Sequence, residues 1–417
     1  MKNIFKIALR NLLRYKRRTL LTSLLIILGV VMVVVFAGIS KSFKEMMVGT
    51  ITDSMLGHLQ IHKKGYVSSI DNLPLHLNLN ENQINNLKSL LDKKNNVIEA
   101  YTFRIKFGAM LSNYEQTTNI RLTAVIPEME NKASPSLVDR IIDFSKKPDS
   151  FVSPGELIIP ENLAKGLKLK IGQEIVLVAT NQDGSVNGMS FTVAGIMSGL
   201  TGPSGRDGYM HLNDAKDLLR IDGNAINEIA IRLKDGDNLK SVNKMLSKNL
   251  QSMTDAKNKP MFELHTWAQL SPFSTIATIV DLLIYIVKIV LISIVLISIL
   301  NVMMMSVFER VSEIGTISAI GTLPSKILWL FVTEGFLLGF ISAIVGSIIS
   351  VLGLFLINLA EFHFSFGRMK GILLQTSIST GELITASIIV IIISIVSSFQ
   401  PAYKASKMEP VDALRHV

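Results

Sequence analysis

Between Leu20 and Ile39 the chain runs for twenty residues, LLTSLLIILGVVMVVVFAGI, without a charge. A helix of that length rises about 30 Å, the thickness of a bilayer's hydrocarbon core. In lipid the backbone must satisfy its own hydrogen bonds, so the helix is the form such a run takes there. Further apolar stretches extend from Leu282 to Phe308, from Ile327 to Leu359 and from Leu383 to Phe399. Four membrane crossings are therefore expected. A cleaved signal peptide is the competing reading of the first run, but the run exceeds the usual 7–15 apolar residues and no small-residue cleavage site follows.

Seven basic residues, Lys2, Lys6, Arg10, Arg14, Lys16, Arg17 and Arg18, precede the first run with no acid among them. By the positive-inside tendency this end faces the cytoplasm, and Arg310, Lys326, Lys404, Lys407 and Arg415 agree. Four crossings then put both termini in the cytoplasm and residues 41–272 outside. Ahead of the first span, Ile4, Ile7, Ala8, Leu12 and Tyr15 share one helical face among basic residues, the pattern of an interfacial helix.

The outer segment carries 27 Lys/Arg against 25 Asp/Glu, so the net charge of +9 does not mark a polyanion-binding face and nucleic acid is not an expected partner. The chain has no cysteine, which excludes disulfides, thiolate metal sites and cysteine nucleophiles. A domain of about 230 residues is large enough to be stable by packing alone, as two lobes. Alternating and β-branched stretches at His58–His62, Val97–Met110, Asn119–Ile126, Glu156–Ile159, Glu174–Ala179 and Phe191–Ile196 read as strands. Glu81–Lys94 and Asn213–Ile221 read as short helices. The fold class is a four-helix membrane protein with a large α+β extracytoplasmic domain. Thr201–Gly208 (TGPSGRDG) reads as a turn-rich hinge or surface loop.

No G-x-S-x-G, H-E-x-x-H or G-x-x-x-x-G-K-[ST] occurs, so no catalytic residue is assigned. His58 and His62 lie on one face of a strand without a third ligand nearby, and no metal site is assigned. Asp281 and Lys288, seven apart on the second span, read as snorkelling or interfacial groups. Glu334, in the first turns of the third span, reads as a hydrogen-bonding residue of a helix end. Gly335, Gly339, Ala343 and Ser347 repeat at every fourth position, with Gly346 and Ser350 alongside, a face where another helix of this chain or of a second subunit approaches closely.

The second and third spans are joined by ERVSEIGTISAIGTLP, residues 309–324. It reads as a short amphipathic helix capped by Gly321, with Pro324 opening the next span. Its charges at Glu309, Arg310 and Glu313, beside small residues at Gly315, Ser318 and Ala319, suit docking into a partner's groove.

The E-R-x-x-E-I-G-x-x-x-A-x-G pattern of this loop resembles the coupling segment of bacterial ABC transporter permeases of the MacB, LolC/LolE and FtsX type. Glu334-Gly335 is similar to that family's E-G pair, and Pro401, Ala402, Ala405, Pro410, Ala413, Leu414 and Arg415 follow its C-terminal P-A-x-x-A-x-x-x-x-P-x-x-A-L-R pattern. Gly155–Ile159, Gly166–Gly172, Phe191–Ile196 and Thr266-Trp267 come in the order of MacB-type periplasmic cores.

The apolar runs, read together with the resemblance, give an amphipathic N-terminal helix over 1–18 and spans over 19–40, 276–308, 325–359 and 382–400. A MacB-like periplasmic core fills 41–272, a coupling helix 309–324, a short outer loop 360–381 and a cytoplasmic tail 401–417. The resemblance assigns Glu309, Arg310, Glu313, Ile314, Gly315, Ala319 and Gly321 to ATPase coupling. It also implies a bacterial inner-membrane location, a second permease chain and two copies of an ABC ATPase subunit. Because this chain carries no nucleotide-binding motif, ATP and Mg are expected to be used by that separate subunit and no cofactor by the chain itself. The implied task is mechanotransmission, driving release of lipoproteins or other amphiphiles toward the outer membrane. Peptide or antibiotic efflux, and FtsX-like control of a cell-wall hydrolase, are the alternatives. LolC-like members recruit a lipoprotein chaperone through a long proline-containing hook. Here the corresponding segment, Thr180–Ser190, is short and without proline, and whether a periplasmic chaperone or adaptor binds stays open.

Overall fold

A computed structural model describes residues 2–144, 150–198, 205–366, 369–373, 376 and 380–409. The chain opens with α1 (Lys2–Arg14) and α2 (Lys16–Ile51), and α2 ends in a π-helical turn, Thr52–Leu56. The first membrane helix thus continues past residue 40, the expected boundary, because residues 40–56 hold no proline and their single glycine, Gly49, is too weak a breaker to end it before Gly57. Gly57 stops it with φ +69°, and a Cβ there would sit 3.0 Å from the Ile231 carbonyl oxygen.

The outer unit then runs β1 (Leu59–Lys63), α3 (Glu81–Asp92), β2 (Ile98–Ser112), β3 (Thr117–Val125), α4 (Pro127–Ala133), β4 (Ile141–Phe144), β5 (Glu156–Pro160) and α5 (Glu161–Gly166). It continues with β6 (Glu174–Thr180), β7 (Val186–Met197), β8 (Asp207–His211), α6 (Leu212–Leu219), β9 (Glu228–Leu233), α7 (Leu239–Gln251), β10 (Phe262–Thr266) and α8 (Trp267–Leu270). The six expected strands and two expected helices are present within a few residues. The Thr201–Gly208 hinge is a correction in its described part: 201–204 lie outside the described residues, while Asp207 and Gly208 begin β8, inside the sheet.

Ten strands form one sheet in the order β10-β1-β9-β2-β3-β8-β5-β7-β4, and β6 pairs with both β2 and β7. Strands β2, β3, β8, β5, β7 and β6 therefore close into a ring, which leaves them no unpaired edge. β10, β1 and β9 extend from the ring as an open antiparallel sheet that shares β2. α3 buries Ile84, Leu87 and Leu91, and α7 buries Val242, Leu246 and Leu250, each a stripe at helical spacing. One apolar cluster from Leu59 to Phe262 runs through both parts, so the two expected lobes share a core as well as a strand. The stretch between β6 and β7 is a tight hairpin turn: Asn181 N–H donates to the Ser185 carbonyl at 2.7 Å and Gly184 has φ +86°.

The membrane unit comprises α1, most of α2, α9 (Phe273–Glu309), α10 (Val311–Ala319), α11 (Pro324–Leu359) and α12 (Thr380–Ser406). Four of its helices, α2, α9, α11 and α12, are long and apolar enough to span. The strands β11 (His363–Phe366) and β12 (Met369–Leu373) pair in the stretch expected to be a simple loop. α12 runs past residue 400 and takes in Pro401, expected at the start of a tail. Proline removes one backbone donor, but Pro401 is buried together with Ala402 and Ala405, and that packing carries the helix on to Ser406. Ile26, Val30 and Val34 of α2 join Val295 and Ile299 of α9, Phe331 and Leu338 of α11 and Val390 of α12 in the bundle core.

Candidate functional site

The loop between α9 and α11 folds as its residues dictate. Gly321 takes φ +94° and donates its N–H to the Ser318 carbonyl at 2.9 Å, ending α10, and Pro324 stands in the first turn of α11 where its missing N–H costs nothing.

Arg310 turns back from this loop into the bundle and is only 6% exposed. Its Nη1 lies 2.9 and 3.1 Å from the two carboxylate oxygens of Glu334, itself 3% exposed. Its Nε donates to Glu313 Oε2 at 3.2 Å. Asn11 Nδ2 of α1 donates to Glu334 Oε1 at 2.7 Å, and the hydroxyl of Tyr15, the residue between α1 and α2, donates to Glu313 Oε1 at 3.2 Å. The guanidinium also lies over the rings of Phe331, at 5.3 Å, and Tyr15, at 5.9 Å. Burial pushes the Arg310 pKa down, but the Glu334 and Glu313 carboxylates outweigh it and hold the group above its ordinary value. α1, α11 and the loop are thereby tied around one buried cation.

Of the residues assigned to ATPase coupling, Arg310, Ile314 and Gly315 are buried, Arg310 against Glu334 and Ile314 in the bundle core. Glu313 is half-buried, while Glu309, Ala319 and Gly321 are exposed. The outward face is apolar: Ile317, Ile320 at 80% and Leu323 at 58% exposure. Asn11, Tyr15, Ile320 and Leu323 were not picked out from sequence as site residues. The signal for Asn11 was a polar residue interrupting the apolar face of α1.

The small-residue face of α11 finds its partner within the chain. A Cβ on Gly335 would run into Ser398, and one on Gly339 into Ser394, both on α12. Ser347 Oγ lies 3.0 Å from Ser387 Oγ, and Ala343 is buried. Gly346, one position off that face, meets α2 instead, where its Cβ would lie 2.8 Å from Val30. Asp281 pairs with Lys44 of α2 at 2.6 Å, so it has a specific partner rather than snorkelling alone. Of the C-terminal motif, Pro410, Ala413, Leu414 and Arg415 lie outside the described residues. His58 and His62 serve the outer fold: His58 Nδ1 accepts the Leu233 N–H at 3.3 Å, and His62 stands 3.5 Å from Glu228.

A family model of the MacB-like periplasmic core domain matches residues 19–249, and one of the FtsX-like permease C-terminal region matches 285–410. The lipoprotein-releasing system transmembrane protein LolC of Neisseria meningitidis is 21% identical over 94% of this chain and 92% of its own length. The macrolide export ATP-binding/permease protein MacB of Campylobacter fetus is 26% identical over 98% of this chain, which spans 60% of that protein. Among solved structures, the periplasmic region of MacB from Actinobacillus actinomycetemcomitans aligns with 54% of this chain and 94% of its own length, at 15% identity and a TM-score of 0.37.

Proposed function

The chain belongs to the MacB-like, FtsX-like family of type VII ABC permeases, and from that premise we propose that it transmits force between a separate ATPase and its own outer domain. Two such chains, identical or related, assemble with two copies of the ATPase subunit in a bacterial inner membrane, both termini cytoplasmic. ATP and Mg are used by that subunit and supply the movement.

The observation that carries the reading is the division of the loop into two faces. The exposed Ile317, Ile320 and Leu323, and the exposed Glu309 at the end of α9, are what the ATPase grips. Arg310 and Glu313 form the other face, and through Glu334, Asn11 and Tyr15 they pass a displacement of the loop to α11 and α1. Buried ion pairs suit this role because separating the charges in a low-dielectric site is costly, so the partners move together.

The substrate we propose is a lipoprotein or another amphiphile, released from the membrane toward the outer membrane. The LolC relative, matched over nearly its whole length, favours this reading. Efflux is the second reading, favoured by the MacB relative that matches 98% of the chain. With only a tight turn between β6 and β7, any chaperone recruitment falls to the partner permease chain.

The complex with its ATPase, reconstituted in liposomes, should release an acylated protein on addition of ATP and Mg. Absence of release with ATPase activity intact would sink the lipoprotein assignment and leave the permease standing.

A further inference from the structure

Arg104 is the one residue of β2 paired to strands on both sides that belong to different parts of the outer unit: opposite Glu228 of β9 and opposite Val125 of β3. Its side chain is fully buried. Nε donates to Glu130 Oε2 at 3.0 Å, Nη1 to Glu228 Oε1 at 2.8 Å and to the Met55 carbonyl at 2.6 Å, and Nη2 to Glu130 Oε1 and to Ser134 Oγ at 2.9 Å. All five guanidinium donors are used, the full capacity of the group. Lys106 Nζ, 2.7 Å from Glu228 Oε2, completes a set of two cations and two carboxylates.

Met55 belongs to the turn that ends the first-span helix, and the other carbonyls of that turn are also taken. Thr52 O accepts from Gly57 N, Asp53 O from Ser136 N, Ser54 O from Arg140 and Leu56 O from Gln60 Nε2. Helix ends normally leave such carbonyls to water, and their partial negative charge favours a cation. Here five consecutive ones are satisfied, and Arg104 is the donor that also holds β9 and the α4 segment beyond β3.

We propose that Arg104 is a positioning residue that makes the helix end, the closed strand ring and the β9 sheet a single rigid body. This rests on the force-transmitting reading above and deepens it, since displacement carried along α2 is useful only if its end does not slip in the domain. At Arg104 all three pieces meet through one fully buried side chain.

The chain's lack of cysteine permits a direct test in the full-length protein in nanodiscs, without ATPase or nucleotide. Spin labels at Val48→Cys with Lys93→Cys, and at Val48→Cys with Lys165→Cys, report the helix end against α3 and against α5 by pulsed dipolar spectroscopy. Both distance distributions should be single and narrow, at least doubling in width in Arg104→Met and widening less in Arg104→Lys. Folded Arg104→Met protein of lower thermal stability but unchanged widths would assign the residue to stability alone and overturn the proposal. Should Arg104→Met not fold, Arg104→Lys takes its place, since it keeps a buried cation but has at most three of the five donors. Broadening of both distributions then supports the joint, and unchanged widths overturn it. Failure of ATPase docking leaves these widths untouched, so the two readings fail separately.

Discussion

Arg310, one residue past the end of the second span, sets a single guanidinium nitrogen 2.9 and 3.1 Å from both carboxylate oxygens of Glu334, twenty-four residues later in the third span. Removing Arg310 leaves Glu334 buried without a cation, and removing Glu334 leaves the buried Arg310 with only the half-buried Glu313. Arg310→Ala or Glu334→Ala should each cost about 3–5 kcal/mol, and the double variant less than the sum, measured by equilibrium denaturation in mixed micelles. The exposed Lys44–Asp281 pair is the comparison, where Asp281→Ala should cost about 1 kcal/mol or less.

Close approach of α11 and α12 depends on Gly339, where any side chain meets Ser394. Gly339→Ala should destabilise by about 1–3 kcal/mol through overpacking. Gly353→Ala, whose added carbon meets nothing within 4 Å beyond its own stretch of helix, should cause no loss of stability in the same denaturation assay.

The exposed face of the loop should separate binding from folding. Ile320→Asp with Leu323→Asp removes no buried contact, so stability should change by no more than about 0.5 kcal/mol, while co-purification with the ATPase is lost. Retained co-purification with ATP-dependent release intact would remove the docking assignment.

Acid should weaken the outer unit through His58. Burial lowers its pKa, with Asp53 opposing and Arg232 adding to the effect. The unfolded chain, titrating at 6.5, then binds the proton more readily than the folded one. Stability is full above 6.5 and falls as pH drops from there toward the folded value. Nδ1, which a proton would occupy, accepts the Leu233 N–H. Thermal melts of His58→Asn should show a shallower decline below pH 6.5 than the parent.

Much of this architecture is legible one segment at a time. Twenty uncharged residues from Leu20 admit little but a span, alternation from Val97 to Met110 marks β2, and Gly321 followed by Pro324 marks a helix stop and start. These are local demands of backbone hydrogen bonding and side-chain period, and each is complete within a few residues.

What no window of sequence contains is the direction a side chain faces when two neighbours compete for it. Arg310 sits in a motif with Glu309 and Glu313 and reads as equally available to a partner, yet Asn11 and Glu334, 299 and 24 residues away, form the pocket that takes it in. The small-residue face of Gly335 and Gly339 announces a close helix contact, but only the packed bundle names α12. Arg104 looks like one more polar residue in an alternating strand until β9, α4 and the end of the first-span helix converge on it. Spans, α+β class and the loop's helix are already written in the order of residues, because they follow from local periodicity and transfer to lipid. Which charges are buried emerges only on packing, since a buried charge is stable only where distant parts of the chain bring the partners that satisfy it.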